Sequence, residues 1–431
     1  MIVYTYTKEK IEIADEALAA GGEGEVRKVL SCPSRFNNVC AKLYFKPKQT
    51  REQEQKIRFM VENPPDMIVG KGMMLAWPLE TIYTKKDGGF LGFLMPTAFP
   101  DSKKLVILTV LKLNKSYKDK WHKFDKEQDK KNAIISRMKL IKNIAIPLHY
   151  LHRTNKYVLK DFKPDNVLVT PTGKVTIVDM DSIQICENGK LLFPGTAATE
   201  DYVPPEFFNE GIGRDTTIPL EKSWDNFAIG EVFYQILFGL KPYAVTPKTN
   251  SEDCNTIPYC ISHNLFPYGK NTSQIAKIPD PHRNFEIIPQ SLRELFIRAF
   301  SDSPDDRPQV KEWGQTIDVE IKKIPQSVTT KPNESTVIEE PNEPPKPPIN
   351  TKYCPRCGTA NDIYAKFCKS CRYSFDGTIK EVTNFDRVAS FLIPLYGLFL
   401  FFALRKEVSR PIAYLFWAIA GIVAYIAICS L

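Results

Sequence analysis

The spacing of apolar residues changes once along this chain, near Asp101, and that change limits the folds it can adopt. In residues 1–96 the apolar runs are short and rich in β-formers, as in NVCAKLYF and GFLGFLMP, with one helical stretch at 51–61. Residues 97–322 instead carry long helical apolar faces, such as AIISRMKLIKNIAIPLHYLH. We therefore expect an α+β fold in which a strand-rich lobe and a helical lobe enclose a cleft.

The composition argues against several other classes of protein. The 58 basic and 50 acidic residues give a mild net charge of +8, and no run interleaves basic with aromatic residues, so nucleic acid is not the expected partner. Ten scattered cysteines do not form a disulfide scaffold. The first residues, MIVYTYTKEKIEIADE, lack a signal-peptide core, so we expect the two lobes to lie in the cytoplasm.

Polar residues suited to phosphoryl transfer follow one another in YVLKDFKPDNVLV and VTIVDMDS. Phosphoryl transfer needs a carboxylate to orient the acceptor hydroxyl, oxygen ligands for Mg²⁺ and a cation on the phosphates. Asp161 fits the orienting base and Lys163 the cation, while Asn166 and Asp179 offer the hard oxygen ligands that Mg²⁺ prefers.

These segments resemble the eukaryotic-type protein kinase family, of the serine/threonine kind, over roughly residues 10–320. LKDFKPDN is similar to the family's catalytic loop, DMD stands in the place of DFG, and GGEGEV resembles the glycine-rich loop. The resemblance implies a bilobal kinase fold that binds ATP with Mg²⁺, or with Mn²⁺ as the alternative ion. It implies that the nucleotide site includes Gly21, Gly24, Val26, Lys42, Glu54, Asn166 and Asp179.

Within this set, the resemblance makes Lys42 the lysine that holds the α- and β-phosphates and Glu54 its ion-pair partner, with Glu52 as the alternative. Two further matches concern architecture. The resemblance pairs Glu206 of YVPPE with Arg307, and it assigns Asp225 to bracing the backbone of the catalytic loop. His149 and His152 are interpreted as packing residues of the preceding helix.

Three departures from the family pattern leave questions open. Leu159 and Lys160 replace the usual histidine and arginine, and lysine lacks the bidentate fork, so we expect weaker dependence on activation-loop phosphorylation. Asp181 replaces the usual glycine, and it either binds or tunes Mg²⁺ or forms hydrogen bonds within the loop. A DxD at this place resembles a divergent bacterial branch of the family.

Three other positions near the cleft have expected roles that the residue types alone do not fix. Thr196 and Thr199 lie where acceptor docking and autophosphorylation are expected, although Thr199 is equally compatible with an ordinary loop residue. Cys40 takes the place of the alanine over the adenine ring, where we expect packing rather than a reactive thiol.

A cysteine module follows the kinase-like region, after a proline-rich linker at 323–352. Residues 353–375 contain two CxxC pairs whose four thiolates suit tetrahedral Zn²⁺, which we expect to be structural. The proposed ligands are Cys354, Cys357, Cys368 and Cys371. The resemblance here is to small zinc ribbons.

Two apolar segments, 388–404 and 412–431, predict attachment to the cell membrane. If both cross the bilayer, the basic loop RKEVSR faces outward, against the positive-inside tendency. The alternative is that the first segment is re-entrant or interfacial and that only the second spans.

The sequence therefore predicts a membrane-anchored protein kinase that phosphorylates serine and threonine on protein substrates, including itself. Because of the departures at Leu159, Lys160 and Asp181, a nucleotide-binding pseudokinase scaffold that signals through the zinc ribbon is the alternative. A membrane-anchored zinc-ribbon binder of nucleic acid is a third class, distinguished by salt-sensitive binding.

Overall fold

The computed structural model describes residues 1–84, 88–249, 254–323, 351–353, 360–362 and 365. Its strand-rich first part and helical second part confirm the expected α+β class.

Six strands of the N-terminal lobe close into a barrel in the order β1-β2-β3-β4-β8-β7. Their bounds are β1 (Ile2–Thr5), β2 (Lys10–Ala20), β3 (Gly24–Ser31), β4 (Val39–Tyr44), β7 (Glu80–Tyr83) and β8 (Phe90–Pro96). Closure comes from the first strand, because β1 pairs antiparallel with both β2 and β7. Each of the six barrel strands therefore pairs with a neighbouring strand on both sides.

One helix, α1 (Arg51–Glu62), packs beside this barrel and matches the helical stretch predicted at 51–61. Thr50 caps its N-terminus, since the threonine side chain accepts a hydrogen bond from the backbone N–H of Gln53. The helix buries Lys56, Ile57 and Met60 and exposes the opposite side. The rotation of α1 about its own axis therefore determines which of its residues face the cleft.

Short strands line the cleft side of the C-terminal lobe. They are β5 (Val69–Gly70), β6 (Met73–Leu75), β9 (Lys103–Lys104), β10 (Tyr157–Val158), β11 (Val167–Val169), β12 (Val175–Ile177), β13 (Gln184–Glu187) and β14 (Lys190–Phe193). One sheet has the order β5-β6-β12-β11-β9 and the other β10-β13-β14. Two polar loops, 159–166 and 178–183, leave these sheets side by side and carry the candidate site.

Helices form the rest of this lobe. They are α2 (Lys118–Trp121), α3 (Lys130–Arg153), α4 (Pro205–Asn209), α5 (Lys222–Phe238), α6 (Ile257–Ser262), α7 (Gln290–Ala299) and α8 (Val310–Lys323). Two strand pairs complete the described elements, β15 (Thr246–Pro247) with β16 (Ile275–Lys277), and β17 (Thr351–Tyr353) with β18 (Ala360–Asp362). No helix among the residues described here combines the length and apolar character needed to cross a bilayer.

Helix α5 forms the centre of the C-terminal core, and every residue from Trp224 to Phe238 is buried. A helix that is buried around its whole circumference must be surrounded by other elements of the core. Aromatic rings of α7 and α8 supply part of that cover, since Phe296 lies 5.4 Å from Tyr234 and Trp313 lies 5.4 Å from Phe233, between ring centroids. The helix ends at Gly239, whose φ of 81° suits glycine.

The side chain of Glu231 places a carboxyl group inside this core. Glu231 of α5 is fully buried, and neither side-chain oxygen has a hydrogen-bond partner in the described part of the chain. Burial raises the pKa of Glu231 to about 8, which the charge of Lys241 opposes and that of Asp201 reinforces. The folded chain therefore keeps this carboxyl protonated at neutral pH.

Replacing this carboxyl by an amide, Glu231→Gln, is expected to stabilise the protein more as the pH rises from 5 to 8. The unfolded chain loses the Glu231 proton near its ordinary pKa while the folded chain keeps it, so unfolding of the wild type becomes easier through this range. The difference grows by about 1.4 kcal/mol per pH unit. Calorimetric melting of both proteins between pH 5 and pH 8 measures it, and a constant difference in Tm would contradict the assignment.

Candidate active site

The 159–166 loop connects β10 to β11 and is held in a strained backbone conformation. Lys160 has a φ of 64°, in the left-handed region that costs a non-glycine residue about 1–2 kcal/mol. A short 3₁₀ turn at Pro164–Asn166 then leads into β11. Such strain persists only where neighbouring groups hold the backbone in place.

Asp225, in the first turn of α5, supplies that hold. Its fully buried carboxylate accepts hydrogen bonds from the backbone N–H groups of Leu159 at 2.8 Å and Lys160 at 3.1 Å. His152 Nε2 lies 2.9 Å from the same carboxylate. The predicted bracing role of Asp225 is confirmed, and His152 is a packing residue, as expected.

Asp161 lies at the centre of the loop with one carboxylate oxygen engaged and one without a partner. Lys163 Nζ donates to Asp161 Oδ2 at 2.6 Å and to Thr199 Oγ1 at 2.8 Å. Asp161 Oδ1 is buried and accepts no hydrogen bond from the described residues. A buried carboxylate oxygen that lacks a donor is a group whose hydrogen bond a ligand hydroxyl can supply.

Asn166 and Asp179 connect the two loops. Asn166 donates its side-chain amide to the Asp161 carbonyl at 3.0 Å, and the backbone N–H of Val178 donates to the Asn166 carbonyl at 2.9 Å. Asp179 has a φ of 63°, and its side chain is 36% exposed toward the cleft. One amide oxygen and one carboxylate are thus available as hard ligands, which fits the Mg²⁺ that the kinase resemblance implies.

Lys42 reaches across the cleft from β4 to the 178–183 loop. Its Nζ donates to both oxygens of Asp181, at 2.6 and 2.7 Å, and to Asp179 Oδ1 at 3.2 Å. Burial would lower the pKa of Lys42, but the charges of Asp181 and Asp179 outweigh it and raise that pKa above its ordinary value. The lysine is charged throughout the physiological range.

The carboxylate of Asp181 is almost entirely shielded from solvent and lies against Lys42 and Tyr44. The Tyr44 hydroxyl donates to Asp181 Oδ2 at 2.6 Å. Burial alone would raise the pKa of Asp181. The charge of Lys42 and the hydrogen bonds from Lys42 and Tyr44 have the larger, opposite effect, so the pKa lies below its ordinary value. The hydrogen bonds of Asp181 run to Lys42 and Tyr44 on β4, so the alternative that placed them within its own loop is not what the structure shows.

The structure corrects the expected pairing of Lys42 with Glu54. Glu54 instead accepts a hydrogen bond from the Tyr83 hydroxyl at 2.7 Å, and the alternative, Glu52, is exposed. The phase of α1 explains the difference, because Gln53 and Lys56 occupy the side of the helix that faces the cleft.

Lys56 is the cation that α1 brings to this region. Its side chain is buried, and Nζ has no hydrogen-bond partner among the described residues. Burial lowers the pKa of Lys56 to about 8, and the negative charges of Asp181 and Glu23 oppose that effect. Nothing in the family resemblance identified this residue; its place on the buried face of the helix was the available signal.

The glycine-rich segment forms the turn between β2 and β3. Gly21 donates its backbone N–H to the Gly24 carbonyl at 2.8 Å. A Cβ at Gly24 would lie 2.2 Å from the Leu43 carbonyl oxygen, so this position requires glycine for close approach of β4. Val26 lies opposite Lys42 in the antiparallel register. These residues therefore border the same side of the cleft.

Lys160 anchors the loop that carries the candidate acceptor residues. Its Nζ donates to the Gly195 carbonyl at 3.1 Å, and a Cβ at Gly195 would come within 2.7 Å of Lys160 Cδ. Burial lowers the pKa of Lys160. Sequence reasoning missed Gly195, whose glycine is required by this close contact.

Two further expectations agree with the contacts. Arg307 donates to both oxygens of Glu206, at 2.7 and 2.8 Å, which confirms the predicted pair. Cys40 is buried, and burial raises its pKa to about 11, so its thiol stays protonated as a packing residue would.

The zinc-ribbon cysteines and the two apolar segments lie outside the described residues. The predictions that concern those residues are the zinc ligands Cys354, Cys357, Cys368 and Cys371 and the membrane segments 388–404 and 412–431. Within the part of the chain that is described, no group of three or more His, Cys, Asp or Glu side chains is arranged to hold a metal ion.

Comparisons with known proteins agree with this site. The sequence profile of the protein kinase domain matches residues 96–316. Protein kinase YegI of Escherichia coli K12 is 25% identical over 322 residues, which cover 73% of this chain and 45% of that protein. Probable serine/threonine-protein kinase ireA of Dictyostelium discoideum is 34% identical over 165 residues, which cover 38% and 14%.

Serine/threonine-protein kinase 32C of Mus musculus is 30% identical over 102 residues, which cover 24% of this chain and 20% of that protein. The chain spans less than half the length of the E. coli protein it matches. The profile match covers about half of this chain and includes both polar loops and α5. By its sequence and its cleft, the chain belongs to the protein kinase domain family.

Proposed function

We propose that this chain is an ATP-dependent protein kinase that transfers the γ-phosphoryl group to serine and threonine hydroxyls of proteins, including its own. The observation that carries the proposal is the pair formed by Asp161 and Lys163. A buried carboxylate oxygen that has no donor among the residues the structure describes lies next to a lysine that already holds a threonine hydroxyl. That arrangement suits a hydroxyl acceptor.

Each residue of the cleft has a role in this proposal. Asp161 Oδ1 accepts the hydrogen bond of the attacking hydroxyl and orients it, and Lys163 places positive charge beside the transferred group. Lys42 binds the α- and β-phosphates, and the Gly21–Gly24 turn and Val26 cover the nucleotide. Asn166 and Asp179 hold Mg²⁺, which neutralises the charge of the phosphates.

Serine and threonine are the proposed acceptors because of the KPDN segment and the position of Thr199. Lys163 holds the Thr199 hydroxyl at 2.8 Å, so a threonine side chain fits beside the candidate base. Several related proteins are named as serine/threonine kinases, which supports the same specificity. The pseudokinase scaffold remains the alternative, and the next experiment separates the two.

Substituting the candidate base, Asp161→Asn, is expected to lower phosphate transfer by at least about 100-fold, because the amide cannot accept the proton. The assay follows radiolabelled phosphate from ATP with Mg²⁺ into the protein itself and into a general acceptor such as myelin basic protein. Asp165→Asn is the matched control in the same loop, since Asp165 is exposed and pairs with Lys104 at the surface. Equal transfer by wild type and Asp161→Asn, or none by wild type, would favour the scaffold.

We further propose that residues 353–375 bind one structural Zn²⁺ through Cys354, Cys357, Cys368 and Cys371. The support is the CxxC spacing, which converges four thiolates on one ion. Metal analysis of the purified chain is expected to find one zinc per molecule, and the double substitution Cys354→Ser/Cys357→Ser is expected to lose it. Cys254→Ser, in the kinase lobe, is the control that keeps the metal. An unchanged zinc content in the double variant would contradict the proposal.

The apolar segments 388–404 and 412–431 support a third proposal, attachment to the cell membrane with the kinase lobes in the cytoplasm. The full chain is expected to sediment with membranes and to resist extraction by high salt, whereas a chain that ends at residue 387 is expected to stay in the supernatant. Accessibility of a cysteine at position 407 to an impermeant reagent distinguishes two spans from one. Equal sedimentation of both chains would contradict the anchor.

A further inference from the structure

We propose that Asp181 is the positioning residue of Lys42, in place of a carboxylate on α1, and that Tyr44 and Gln53 couple α1 to this pair. The proposal rests on the kinase function proposed above and names the residues that align the phosphate-binding lysine. It also assigns different roles to the two aspartates of DMD: Asp179 is open to the metal ion, and Asp181 binds the lysine.

Asp181 and Asp179 contact Lys42 in different ways. Both oxygens of Asp181 lie within 2.7 Å of Lys42 Nζ, whereas Asp179 contacts the same atom through one oxygen at 3.2 Å. The Asp181 side chain is 1% exposed and that of Asp179 is 36% exposed. A buried bidentate carboxylate fixes the direction of an ammonium group, while an exposed one remains available to a ligand.

Two hydrogen bonds connect helix α1 to Asp181. Gln53 Nε2 of α1 donates to the Tyr44 hydroxyl at 2.7 Å, and that hydroxyl donates to Asp181 Oδ2 at 2.6 Å. Tyr44 and Lys42 lie two residues apart on β4 and therefore point to the same side of the strand. The helix thus contacts the lysine's partner through two neutral side chains rather than through a salt bridge.

The charged residues around Asp181 also favour this role. Lys56 is buried and its Nζ has no hydrogen-bond partner among the described residues, whereas Lys42, whose side chain is 12% exposed, is paired with Asp181. Glu54, the acidic residue expected at this place, faces Tyr83 instead. Without Asp181, Lys42 would keep only the longer contact to Asp179, which is the aspartate that remains open to a metal ion.

The experiment compares Asp181→Asn and Tyr44→Phe with Glu54→Gln, in the full chain. Glu62→Gln, at the exposed end of α1, is the matched control. The readouts are kcat and KM for ATP, the Mg²⁺ concentration for half-maximal rate, Mg·ATP affinity by calorimetry, and the Tm of the nucleotide-free chain. We expect Asp181→Asn to lower kcat at least about tenfold through misalignment of Lys42, and Tyr44→Phe to lower it less.

The Mg²⁺ requirement is expected to stay the same in Asp181→Asn, since its carboxylate serves the lysine. A clear rise in that requirement would make Asp181 a metal ligand and overturn the proposal. Loss of rate in Glu54→Gln with little change in Asp181→Asn would overturn it as well, because it would restore the helix carboxylate to the usual role.

A double-mutant cycle keeps the inference testable whatever the catalytic outcome. Lys42→Met and Asp181→Asn are expected to be non-additive in the Tm of the nucleotide-free chain, because the two residues form one buried ion pair. Additive effects would overturn the proposal. If the wild type transfers no phosphate, the kinase function fails while this cycle and the Mg·ATP affinities still decide the role of Asp181.

Discussion

The buried carboxylate of Asp225 is the interaction on which the rest of the cleft depends. It is provided by a helix that is enclosed by the core, so its position is set by packing rather than by solvent-exposed contacts. Two consecutive backbone N–H groups donate to it, and these bonds hold Lys160 in a left-handed conformation. The direction of Asp161 follows from that backbone, because it is the next residue. The site is therefore as rigid as the helical core beneath it.

Much of this site could be predicted because its residues lie in short loops beside strands. Asp161, Asn166 and Asp179 are close together because β11 and β12 form one antiparallel pair between them. Chain order alone then brings the three side chains to the same end of the sheet. The Glu206–Arg307 and Asp225 contacts followed from spacing and resemblance, and the structure confirms them.

The contacts that could not be predicted depend on helical phase or on long-range pairing. Each residue of an α-helix is rotated by about 100° from the last, so assigning Glu54 to the inward face instead of Gln53 changes the partner completely. Lys42 and Asp181 are 139 residues apart, and no local pattern specifies that they meet. The close contact of Gly195 with Lys160 is another long-range feature, visible only when both backbones are in place.

The closed barrel of the N-terminal lobe has a consequence for how this lobe can be altered. In an open sheet the two outer strands have unpaired backbone groups, whereas here β1 occupies that position for both β2 and β7. Removing the first few residues would therefore create two new edges at once, not one. Those edges, at the start of β2 and along β7, would carry unpaired backbone groups, which favour strand-to-strand association between molecules. The amino-terminal strand thus acts as a built-in protection of the lobe against self-association.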